Sequence, residues 1–208
     1  MRTIHRTTTI AGALALGLAL TLTGCGGDDT TTGSSGSTGD HADADVAFVS
    51  DMIQHHAQAL TMVDLTVERD LAPEVHRLAE GIRDAQGPEI ETMSDWLEEW
   101  GEEVPPTVRD HSNAEGHDTG DEGEMSDDLG VDMPGMISDE QLEELVEASD
   151  ADFEDRWLEL MIAHHEGAVS MAEAQLADGS SDDAIELAEQ VLATQAEEIV
   201  TMQELLDS

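Results

Sequence analysis

Apolar residues recur every three or four positions along four long stretches of the 208-residue chain. Between residues 42 and 71, Val46, Phe48, Val49, Met52, Ile53, Ala59, Leu60, Met62 and Val63 form the broad stripe of an amphipathic helix. Pro73, tolerated in a first helical turn, restarts the chain. Val75, Leu78, Ile82, Ile90, Met93, Leu97 and Trp100 then carry a second helix to a stop at Gly101. A third helix is predicted over 150–177, closed by Asp178-Gly179, and a fourth from a Ser180 or Ser181 cap to Leu206. A shorter helix is expected over 138–148, where Ser138 and Gln141 fit a capping box.

The two pairs of long helices spell nearly the same pattern. Met52-Ile53-Gln54-His55-His56 with Ala59 and Met62 corresponds to Met161-Ile162-Ala163-His164-His165 with Ala168 and Met171, an offset of 109 (161 minus 52). The same offset carries Leu78-Ala79-Glu80, Gln86, Glu89-Ile90, Thr92 and Met93 onto Leu187-Ala188-Glu189, Gln195, Glu198-Ile199, Thr201 and Met202. Short turns within each pair and a long link between them predict an all-α fold. Its expected form is a ferritin-like four-helix bundle of two duplicated hairpins, 41–101 and 150–208, joined by a long crossover at 102–149.

The ends and the charge bound what such a bundle does. Arg2 and Arg6, an apolar run over 10–22 and Leu22-Thr23-Gly24-Cys25 have the order of a lipoprotein signal peptide, 1–24, with Cys25 as the lipidated residue. Residues 25–40, mostly Gly, Ser, Thr and Asp, read as a flexible tether. The domain is thus expected outside the cytoplasm, held at the cell membrane by lipid. Cys25 is the only cysteine, which removes internal disulfides and Cys-based metal sites. Seven Lys plus Arg against 49 Asp plus Glu give a net charge of −42. Nucleic acid is excluded as a partner, since no basic surface exists to neutralise phosphate. The chain has no lysine at all, a bias of the whole surface that is not itself evidence for metal binding.

The candidate chemistry lies in the repeated motif. On a helix, Met52 shares a face with at least one of His55 and His56, and Met161 likewise with His164 or His165, with Met62 and Met171 one to two turns on. In the partner helices, Gln86, Glu89 and Met93, and likewise Gln195, Glu198 and Met202, step by three and four to make a second polar stripe. Four imidazoles repeated in equivalent places are hard to explain by packing, because each buried ring needs partners. Imidazole with thioether selects copper, above all Cu(I), over magnesium, calcium or manganese, other transition metals being alternatives. Met62, Met93, Met171 and Met202 serve equally as core filler. Glu89 and Glu198 are read as ligands or as orienters of ligands. In the crossover, His111, His117 and Met125 are read as incidental, whereas Met133-Pro134-Gly135-Met136 stands where its methionines would fold back over the helices.

These motifs, Met-Ile-x-His-His-x-x-Ala-x-x-Met and Gln-x-x-Glu-Ile-x-x-Met in both halves with Met-Pro-Gly-Met before the third helix, resemble the bacterial "domain of unknown function 305" family over most of 41–208. The resemblance implies an exported or membrane-anchored, ferritin-like domain, with several relatives linked to copper binding or tolerance. Three functions follow: a lipoprotein that sequesters Cu(I) or passes it to a copper-handling partner without turnover, a ferritin-like di-metal oxidase, and a structural or interaction module without metal. The first is the expectation, with a metal ion and the membrane as partners and a homo-oligomer compatible with it. An oxidase site wants Glu on two helices and Glu-x-x-His on the others, which the sequence replaces by His-His and Gln-x-x-Glu.

Overall fold

The computed structural model describes residues 41–107, 109 and 133–208. The signal segment, the tether with Cys25, and His111, His117 and Met125 lie outside the described residues. Among those described there are five helices and no strand: α1 (Asp43–Asp64), α2 (Pro73–Trp100), α3 (Asp139–Glu147), α4 (Asp150–Asp178) and α5 (Asp182–Leu206). None is long and apolar enough to cross a membrane.

The ends of the helices follow local chemistry. Ser138 Oγ accepts from Gln141 N at 3.2 Å while Gln141 Oε1 accepts from Ser138 N at 2.9 Å, closing the capping box of α3. Ser181 caps α5 by accepting from Ala184 N. Gly101 ends α2 at φ 78°, in the left-handed region open to glycine. The apolar stripe overestimates α1, which stops at Asp64 rather than running to 71 and is about 33 Å long. Thr66 is the cause: its hydroxyl bonds to Val63 O at 2.8 Å, and the following N–H groups turn back to carbonyls three residues behind. The Val63 and Met62 carbonyls, left over at the helix end, are taken by Thr66 and by Trp157 Nε1 at 2.9 Å.

α1 packs along α2, α4 along α5, and α1 against α4. The buried apolar residues fall into two clusters. One holds Ala59, Met62 and Val63 of α1 with Val75, Ala79 and Ile82 of α2, Phe153, Trp157, Leu158 and Met161 of α4, and Met202 of α5. The other holds Phe48, Val49, Met52 and Ile53 of α1 with Met93 and Leu97 of α2, Ala168 and Ala172 of α4, and Leu187, Ala188 and Val191 of α5. Each long helix passes from one cluster to the other, α1 and α4 in opposite senses. At the crossing stand His55 and His56, Gln86, His164 and His165, and Gln195, all buried. A polar layer to which all four long helices contribute therefore divides the core.

Two carboxylates missed in the sequence fix the hairpin turns. Asp45 of α1 accepts from Ala42 N, Gln175 Nε2, and the N–H groups of Ser180 and Ser181, pinning the α4–α5 turn. These bonds outweigh the burial that would raise its pKa and hold it at about 2. Glu154 of α4 accepts from Ala72 N at 2.7 Å in the α1–α2 turn. Asp45 and Glu154 are separated by the offset of the repeat, the signal by which the sequence could have shown them.

Candidate metal centre

The four histidines of the repeated motif meet in the middle of the core, and none exposes any surface. His55 and His164 face each other across the α1–α4 contact, ring centroids 3.7 Å apart and planes tilted by 39°. Their neighbours point toward the partner helices. His56 Nε2 lies 2.8 Å from Glu89 Oε2 of α2, and His165 Nε2 lies 2.9 Å from Glu198 Oε2 of α5. Both pairs span 33 residues. The two carboxylates keep a partial opening to solvent, Glu89 at the edge of a groove of about 220 Å³ between α2 and α5 that Trp96, Asp183 and Glu186 also line.

The outer face of α1 and α4 at the same level is covered by the Met133–Met136 turn. His55 Nε2 donates to Pro134 O at 3.1 Å. The Gln58 side chain pairs with the backbone of Ile137 in both directions, its Nε2 on Ile137 O at 2.9 Å and its Oε1 on Ile137 N at 2.8 Å. Gly135, at φ 79°, has no room for a Cβ: one would stand 2.6 Å from Ala163 O and 2.9 Å from His164 O. A Cβ on Gly167 would fall on the Pro134 carbonyl. Gly167 occupies the place in the second half that Gln58 holds in the first, so the repeat departs from itself where the turn docks. The fold-back expected of this segment is thus present, with Met133 buried and Met136 half-buried.

The remaining predicted residues sort by depth. Met52, Met62, Met93, Met161 and Met202 are fully buried in the two apolar clusters, Met52 and Met161 within one turn of the histidines on their own helices. Met171 departs from its counterpart Met62. It lies half-buried along a groove of about 250 Å³ with Phe48, Asp51 and Gln175, two turns from His164. Gln86 and Gln195 are 2 % exposed, and neither atom of the Gln86 amide nor Oε1 of Gln195 reaches a partner.

Burial dominates the electrostatics of the layer. Desolvation, followed by the neighbouring His56, lowers His55 to about 3, the Pro134 carbonyl opposing. His164 is pushed well below the usual histidine range by desolvation and then by His55, His165 and His56, the His55 backbone opposing weakly. Both rings are therefore neutral bases at physiological pH, the form in which imidazole binds metals. Five ring nitrogens make no hydrogen bond: Nδ1 of His55, His56 and His165, and both nitrogens of His164. Leaving such atoms unmet costs ~1–3 kcal/mol each, so their concentration in one layer calls for a reason. Among the described residues, no three His, Cys, Asp or Glu side chains already gather about one point. The donor types present are imidazole, with thioethers in the adjoining clusters, and these fit a soft cation of low coordination number.

Residues 45–206 match the profile of the family described as Domain of unknown function (DUF305). The chain belongs to the DUF305 family. A crystal structure of a DUF305 fragment from Deinococcus radiodurans is 30% identical over 81% of this chain and 99% of that one, with a TM-score of 0.65. A DUF305 protein from Streptomyces coelicolor is 29% identical over 79% and 92%, with a TM-score of 0.64. CopM in its Cu(I)-bound form shares the fold at 23% identity, covering 78% of this chain and 95% of its own, with a TM-score of 0.59. CopM has also been solved with Cu(II) and with silver. No curated protein matches the chain.

Proposed function

We propose that this DUF305 protein is a membrane-anchored, extracytoplasmic copper-binding protein that sequesters Cu(I) or hands it on without turnover. In this reading the two hairpins are copies of one another and form a ferritin-like four-helix bundle. The observation that carries it is the buried layer of imidazoles, five of whose nitrogens have no partner, set between clusters that contain Met52 and Met161. A dry, apolar setting favours an ion of low charge, and imidazole with thioether favours Cu(I) or Ag(I). The CopM structures, of the same fold and with copper or silver bound, support the same cargo. An oxidase would use its carboxylates as ligands, whereas Glu89 and Glu198 are engaged by imidazole Nε2. Cys25 at the end of the signal-like segment supplies the lipid anchor, and the acidic surface keeps the tethered domain away from anionic headgroups.

The test is competition for Cu(I) against a chromophoric chelator, comparing the parent with the His55→Ala/His164→Ala variant. The parent should withdraw copper from the chelator. The variant should lose most of that affinity while remaining helical. Equal binding by both would move the site elsewhere, and binding by neither would remove the function.

A further inference from the structure

Three of the four buried rings hold one nitrogen on an acceptor. A carbonyl oxygen only accepts, so His55 Nε2, facing Pro134 O at 3.1 Å, carries the hydrogen. His56 Nε2 and His165 Nε2 donate in the same way to the carboxylate oxygens of Glu89 and Glu198. A second hydrogen, on Nδ1, would sit in the interior with nothing to accept it, since Nδ1 of all three rings is buried and unpartnered. Nδ1 is therefore the nitrogen that keeps its lone pair.

We infer that Nδ1, and not Nε2, is the atom that His55, His56 and His165 offer to the cargo ion, and that Glu89 and Glu198 are positioning residues which hold two of these rings in the Nε2–H tautomer. The inference rests on the copper-binding reading and names the atoms that perform it. Coordination needs a lone pair, and a ligating imidazole characteristically passes its other N–H to a carboxylate or carbonyl. Here that outer set of bonds is complete before any ion arrives. Binding through Nε2 instead would break two carboxylate contacts and the bond to the Pro134 turn, leaving Glu89 and Glu198 without the rings they face. His164 has no such anchor on either nitrogen.

The experiment is long-range proton–nitrogen NMR on the full chain labelled with 15N, first metal-free and then titrated with Ag(I), a diamagnetic analogue of Cu(I). The metal-free spectra should place His55, His56 and His165 in the Nε2–H tautomer. Silver coupling to any of these three rings should then fall on Nδ1. An Nδ1–H tautomer at any of the three, or silver coupling on Nε2, overturns the assignment while leaving copper binding standing. Absence of silver coupling on every ring, with the tautomers as assigned, overturns the copper-binding reading and the donor role with it. The Glu89→Gln/Glu198→Gln variant offers each ring an amide that donates as readily as it accepts. It should show mixed tautomers at His56 and His165 and a roughly ten- to hundredfold loss of Ag(I) affinity. Lost affinity with unmixed tautomers would make the carboxylates merely structural and overturn their positioning role.

Discussion

Replacing His164 with leucine should make the metal-free protein more stable. The His164 ring is fully buried and neutral, so it presents one N–H and one lone pair, and neither makes a hydrogen bond of good geometry, the His55 backbone offering at most a weak one. Each unmet group costs ~1–3 kcal/mol. Leucine has nearly the volume of histidine, and a swap of that kind costs under about 1.5 kcal/mol in fit. The net expectation is a gain of about 0.5–6 kcal/mol, each kcal/mol raising Tm by roughly 2–4 °C for a domain of this size. Urea and thermal unfolding in the presence of a chelator measure it. Repeating the series with Ag(I) at a hundredfold excess over Kd should add about 2.7 kcal/mol to the parent. A variant less stable than the parent by about 1 kcal/mol or more, with its helicity intact, would refute the reasoning. The ring would then be held by partners within the folded protein rather than left unmet.

The depressed pKa of His55 has a sign that can be followed. The unfolded chain takes up a proton at this residue below pH 6.5 and the folded one only near 3, so the protein should lose stability as pH falls from about 6.5 toward 3, at about 1.4 kcal/mol per pH unit for each such ring. Asp45 acts in the same sense over a lower window: its contribution, about 2 kcal/mol, is present above pH 3.8 and lost as pH falls toward 2. Urea midpoints from pH 7 to pH 3 check both, and a flat profile between 6.5 and 4 would contradict the burial of neutral imidazole. Gly167→Ala should drive the Pro134 turn off α4, with a loss of about 1–3 kcal/mol and earlier proteolysis near residue 135, as peptide mapping would show. Oxygen uptake with added Fe(II) should not rise above buffer, and a clear catalytic rate would restore the oxidase reading.

Much of this was legible because the repeat carries its own check. An accidental His-His pair would have no counterpart, whereas the offset of 109 matched the histidines and also Gln86 and Glu89 with residues that do return at the polar layer or against its rings. What periodicity could not give was partnership. It placed Glu89 near His56 without showing that Nε2 is the atom engaged, because ring orientation depends on contacts between helices. It treated Met62 and Met171 alike, although one is buried beside Trp157 and the other half-buried along a groove, since the Met133–Met136 turn, α3 and their contacts have no repeat in the first half. The overlong α1 has the same origin: apolar spacing continues through Val67 and Leu71, but the Thr66 hydroxyl competes for the backbone. Gln58 and Gly167 pass unnoticed in either half read alone and become informative only as a mismatch between halves, one clamping the turn and the other making room for it.

X-ray absorption at the copper edge of protein loaded with one equivalent of Cu(I) tests the central claim most directly. The account predicts a low-coordinate Cu(I) whose neighbours include imidazole nitrogen with its outer-ring scattering, joined by thioether sulfur. Neighbours of oxygen alone, as from the acidic surface, or a spectrum unchanged in the His55→Ala/His164→Ala variant, would contradict it.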